Sequence, residues 1–102
     1  MANKMRPIHP GEILREEMDE LGLTANAFAK ALKVSTNRIT AILNEQRSIT
    51  GDTALRLAKY FATAPEFWMN LQASYDVKKA MQESGADIER NVKPGQLKVV
   101  NL

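Results

Sequence analysis

Residues 25–44 read ANAFAKALKVSTNRITAILN. Two short helical patterns flank Lys33, Val34 and Ser35, with Phe28, Ala29 and Leu32 in the first and Ile39 and Ile42 in the second. Thr24 and Ser35 stand where each pattern begins, and both side chains cap helices well. Ala29 is the smallest residue that still favours helix, and it lies where two helices must cross closely. A larger side chain there would overpack the crossing by about 1–3 kcal/mol. Val34 reads as the buried residue of the turn. The stretch predicts a helix over 25–32, a tight turn, and a second helix over 36–44.

N-terminal to this stretch, His9-Pro10-Gly11-Glu12 reads as a helix start, with Pro10 at a position that needs no N–H and Glu12 at the positive helix end. His9, the one histidine, fits capping or packing rather than catalysis. Leu14, Met18 and Leu21 give this first helix an apolar stripe, and Gly22 ends it. Thr50 is placed to cap a helix over 51–61 with Asp52 in its first turn. Its expected stripe is Leu55, Ala58 and Ala62, broadened by Ala54 and Leu57. Pro65 opens a fifth helix over 65–81 carrying Phe67, Trp68, Leu71 and Tyr75. No helix-length segment favours strands.

The expected class is therefore all-α: a five-helix domain over residues 1–81, led by a polar arm over 1–8, and a short irregular or disordered tail over 82–102. Gly85, Asn91, Pro94 and Gly95 are the breakers behind that expectation. The alternative is a small hairpin pairing 88–92 with 97–100, marginal in water as a two-stranded unit. A third reading has the apolar residues 97–100 ordering on a partner by strand addition.

Composition narrows the function classes. With no cysteine and one histidine, thiolate metal sites, Cys/His pairs and histidine clusters are excluded. The five glycines stand apart, so no phosphate-cradling loop exists. A non-enzymatic protein without metal, cofactor or small-molecule ligand is expected. No apolar run approaches the roughly 20 residues of a membrane span, and the N-terminal segment lacks the apolar core of a secretory signal. A cytoplasmic location follows as the expectation. Net charge is only +2, but its distribution is uneven. Across 24–50, Lys30, Lys33, Arg38 and Arg47 face Glu45 alone, whereas across 10–22 Arg15 faces Glu12, Glu16, Glu17, Asp19 and Glu20. Phosphates would be drawn to the first segment and repelled by the second.

The second helix of the pair would lie in a DNA major groove. Thr36 and Asn37 are expected at base edges, Asn pairing with adenine and a threonine methyl meeting that of thymine. Arg38 is expected at guanine or phosphate, with Thr40 and Ala41 one turn further along the groove floor. Asn26, Ser35, Asn44 and Arg47 would hold the backbone phosphates.

Residues 25–44 resemble the helix-turn-helix of the phage-repressor (Cro-type, XRE) family. Lys33 departs from that pattern, which favours glycine because the turn residue takes a positive φ. Lysine adopts that conformation at about 1–2 kcal/mol. Two flanking blocks extend the resemblance: Arg6-Pro7-Ile8-His9-Pro10-Gly11-Glu12-Ile13-Leu14, and residues 61–72, which include Pro65-Glu66-Phe67-Trp68-Met69-Asn70-Leu71-Gln72. Together they resemble HigA-type (VapI-like) antitoxins over about residues 6–75. The resemblance implies an antitoxin that neutralises a HigB-type mRNA-cutting toxin. It also implies a dimer that represses its own operon at operator DNA.

Phe67, Trp68, Leu71 and Tyr75 are the expected dimer interface, since adjacent Phe67 and Trp68 point to different sectors of one helix. Glu16, Glu17 and Glu20 are the expected contact for a basic toxin. The main alternative is a stand-alone XRE-family repressor with no toxin. The opposite class is a protein-interaction module that no longer binds DNA.

Overall fold

The computed structural model describes residues 6–95. These form five helices: α1 (Pro10–Leu21), α2 (Ala25–Leu32), α3 (Thr36–Leu43), α4 (Gly51–Phe61) and α5 (Pro65–Asn91). The expected caps are in place. The hydroxyls of Thr24, Ser35 and Thr50 accept the backbone N–H of Ala27, Arg38 and Thr53, at 3.1, 3.2 and 3.4 Å. His9 caps α1, its Nδ1 accepting the Gly11 N–H at 2.9 Å.

The first four helices end in the same way. Gly22, Lys33, Glu45 and Ala62 all take a left-handed conformation, at φ 66°, 61°, 61° and 57°. In each case the next residue's N–H turns back to a carbonyl five residues earlier: Leu23 to Met18, Val34 to Ala29, Gln46 to Ala41 and Thr63 to Ala58. This is the Schellman closure. It turns the chain sharply within two or three residues, which sets α2 against α3 at the spacing a helix-turn-helix needs. The positive φ expected at Lys33 is present.

The core joins Leu14 and Met18 of α1 to Phe28, Ala29 and Leu32 of α2 and Ile39 and Ile42 of α3. Ile49, then Ala54 and Leu57 of α4, and Trp68 of α5 close it. Two expected stripes are corrected. Leu21 is exposed at the end of α1. The buried face of α4 is Ala54, Leu57 and Ala58, while Leu55 is 62% exposed and Ala62 is exposed. Leu55 lies about 100° around the helix from Ala54, at the edge of the buried face.

Gly11 explains the sequence of the α1 start. A Cβ at this position would collide with the carbonyl oxygen of Ile42. The absent side chain lets the first turn of α1 rest directly on α3, fixing the base of the second helix of the motif.

The largest correction concerns α5, which runs 27 residues to Asn91 rather than stopping at Met81. The division expected at residue 81 falls inside it, and residues 88–91 are helical rather than one arm of a hairpin. Gly85 costs about 1 kcal/mol relative to alanine in a helix. That is too little against the strong helix formers on both sides, and Asn91 is tied to Asp87 at 2.7 Å. Pro94 is the effective stop: Val92 is already extended at φ −96°, ψ 114°. Residues 97–100, the other hairpin arm, lie outside the described residues. About 40 Å of helix makes the molecule long, at 53 × 28 × 21 Å. No helix among the described residues is long and apolar enough to cross a membrane.

Candidate nucleic-acid interface

The face of α3 that turns away from the core carries the expected reading residues. Asn37 is exposed and only its backbone carbonyl is engaged, by Thr40, among the described residues, so its side-chain donor and acceptor are open to a base edge. Thr36 and Ala41 are half-buried beside it. The Thr36 hydroxyl donates to the side-chain oxygen of Asn26 at 3.0 Å. This bond joins the first turns of α2 and α3 and leaves the Asn26 amide hydrogens facing outward as donors. The Thr40 hydroxyl donates to the Asn37 carbonyl at 3.3 Å, which fixes its methyl group.

Ser35, Asn44 and Arg47 are exposed around this face. The first turn of α3 has no acidic residue, so its N-terminus is an uncancelled positive pole. Lys30, Lys33 and Arg47 make no ion pair among the described residues.

Arg38, expected at guanine or phosphate, is engaged within the chain. Its Nη1 lies 2.6 Å from Asp52 Oδ2 and 3.5 Å from the Thr53 hydroxyl, so its guanidinium turns back onto α4. Asp52 also accepts Arg56 Nε at 2.9 Å, and Arg56 Nη1 continues to the Leu32 carbonyl at 2.9 Å. Arg56 thereby satisfies a carbonyl at the C-terminal end of α2. The pair of guanidiniums, first Arg56 and then Arg38, holds the Asp52 carboxyl below the usual carboxylate range. The network links α2, α3 and α4. Its one sequence signal was the Asp52–Arg56 spacing of four; the reach of Arg38 from another helix had none.

His9 is buried at 2% exposure and meets the Tyr75 ring edge-on at 4.8 Å. Burial lowers its pKa, partly offset by Glu45 and by a hydrogen bond with the Arg47 backbone. Of the residues expected at a dimer interface, Trp68 is only 1% exposed and belongs to the chain's own core, its indole N–H donating to Thr63 at 3.1 Å. Phe67 is 46% exposed, and Leu71 and Tyr75 are half-buried. Glu16, Glu17 and Glu20 are all exposed on α1. Among the described residues no group of acidic or histidine side chains could hold a metal.

The helix-turn-helix family model matches residues 14–68. A HigA-family addiction module antidote protein from Coxiella burnetii is 62% identical, with 89% of this chain and 100% of that one covered at a TM-score of 0.87. The chain belongs to the HigA family of helix-turn-helix antitoxins. Antitoxin HigA of Pseudomonas aeruginosa, solved with the higBA promoter, is 48% identical over 87% of this chain and 98% of its own, at a TM-score of 0.84. Virulence-associated protein I of Dichelobacter nodosus is 56% identical over 79% of this chain and 76% of its own length. The family model spans from α1 into the start of α5, so it includes α2 and α3 with the turn between them.

Proposed function

We infer that this chain is a HigA-type antitoxin that binds the operator of its own operon as a dimer and neutralises a HigB-type toxin. It acts in the cytoplasm by binding, without catalysis. The observation that carries the reading is the exposed face of α3, where the Asn37 amide stands unpaired between Thr36, Thr40 and Ala41. A shared fold with an antitoxin solved on promoter DNA supports it.

Thr36, Asn37, Thr40 and Ala41 read base edges, and Asn26, Ser35, Asn44 and Arg47 hold phosphates. One helix of this size reads too few base pairs for a tight site, and two-fold pairing of subunits places a second one about 34–36 Å away. Phe67, Val77, Met81 and Ile88 are exposed on α5. At 100° per residue they share an arc of about 80°. That stripe, with Leu71 and Tyr75 beside Phe67, is the dimer surface. The exposed Glu16, Glu17 and Glu20 on α1 receive the toxin, a basic protein, through charge complementarity.

Expression of the native operon, followed by purification through a tag on this chain, tests the whole reading. A short basic protein should co-purify, and the complex should shift a duplex carrying the operon's promoter. Recovery of the chain without a partner, still binding its promoter, would replace the antitoxin with a stand-alone repressor. A partner without any promoter shift would leave an interaction module.

A further inference from the structure

The Asp52 carboxylate lies between two guanidiniums that come from different helices. Oδ2 accepts Arg38 Nη1 at 2.6 Å and Arg56 Nε at 2.9 Å, while Oδ1 accepts Arg56 Nη2 at 3.4 Å. Thr53 takes a further contact from Arg38 Nη1 at 3.5 Å. Arg38 is the third residue of α3 and its side chain is 25% exposed, which is low for an arginine on a face meant for DNA. Arg56 is anchored a second time, at the Leu32 carbonyl. Arg38 has no anchor outside Asp52 and Thr53 among the described residues.

This arrangement has a consequence for selectivity. A free arginine on the first turn of a reading helix binds phosphate on any sequence, raising operator and non-operator affinity together. An arginine held by a carboxylate adds nothing to non-specific binding, and the neutral side chains around Asn37 meet the bases alone. We propose that Asp52 is a positioning residue for DNA selectivity: it holds the Arg38 guanidinium on α4 and so keeps it from the phosphate backbone. The proposal rests on α3 being the reading helix.

The test is a salt series of duplex titrations with the full chain, on promoter and scrambled DNA. Asp52→Asn should steepen the slope of log affinity against log salt by about 0.9, the value for one added phosphate contact. The promoter-over-scrambled ratio should fall. Asp52→Glu should keep the parent slope, and the Arg38→Gln/Asp52→Asn double variant should return to it. Asp19→Asn removes the same charge from exposed α1 and should change nothing. The proposal is overturned by an unchanged slope in Asp52→Asn, by an equal effect from Asp19→Asn, or by steepening that survives in the double variant.

Arg38→Gln in the otherwise native chain is an independent arm that decides the matter even if Asp52→Asn does not fold. The parent slope should persist, and a slope flatter by about 0.9 would make Arg38 a phosphate contact and end the proposal. Equal binding of promoter and scrambled DNA by the parent chain would instead fail the DNA-reading assignment, a distinct result.

Discussion

The side-chain oxygen of Gln72 accepts the backbone N–H of Ile49 at 2.7 Å, joining α5 to the loop between α3 and α4. The other half of the amide donates to Asp76 at 2.9 Å, so this buried polar group is satisfied on both sides. Ile49 is a core residue, and its position fixes where α4 starts after α3. Replacing Gln72 with leucine leaves a buried N–H without a partner. The expected cost is about 1–3 kcal/mol, read as a lower urea midpoint with an unchanged slope.

Lys33 holds φ 61° with a side chain present. Lys33→Gly removes about 1–2 kcal/mol of strain and restores about 0.4–1 kcal/mol of unfolded-chain entropy. The net expectation is a gain of about 0.5–1 kcal/mol, seen as a higher melting temperature. Gly22→Ala, at φ 66° with open space around it, should do the reverse.

Much of this architecture was legible in the sequence because it is local. Thr24, Ser35 and Thr50 announce helix starts by their own chemistry, and the Phe28–Ala29–Leu32 spacing announces a buried face. The course of α5 was not legible, because a lone Gly85 looks like a stop while the propensity summed over its neighbours decides otherwise. On α3, the exposure of Asn37 was readable from its place in the helix. The fate of Arg38 was not, since it depends on Asp52, fourteen residues away on another helix. Gln72 was equally hidden: its spacing within α5 says that it is buried, but not that a loop N–H waits for it.

Stability should depend on pH through His9. Burial lowers its folded pKa below the ordinary value near 6.5, so the unfolded chain binds the proton more readily. Stability is therefore complete above about pH 6.5 and declines as pH falls below it. Glu12, held by Arg6, and Asp52 have lowered values and add a further decline once the medium is acid enough to protonate carboxylates. His9→Asn keeps a side-chain acceptor for the Gly11 N–H and should flatten thermal stability between pH 5 and 7, within about that window.

The dimer surface proposed on α5 has its own readout. The parent chain should be a dimer by light scattering at micromolar concentration. Phe67→Asp or Met81→Asp, both at exposed positions, should give folded monomers whose operator affinity drops roughly a hundredfold through loss of the second reading head. A parent chain that is monomeric at that concentration would show that the stripe is not a dimer surface.

We propose above all that α3 reads operator sequence through Asn37. Fluorescence anisotropy titrations of the promoter duplex, its single-base variants and a scrambled duplex test it most directly. The parent chain should prefer the promoter by about a thousandfold or more. Asn37→Ala should lose about 1–3 kcal/mol of discrimination at one base pair while scrambled binding stays the same. Asn37→Ala matching the parent on every single-base variant would contradict it.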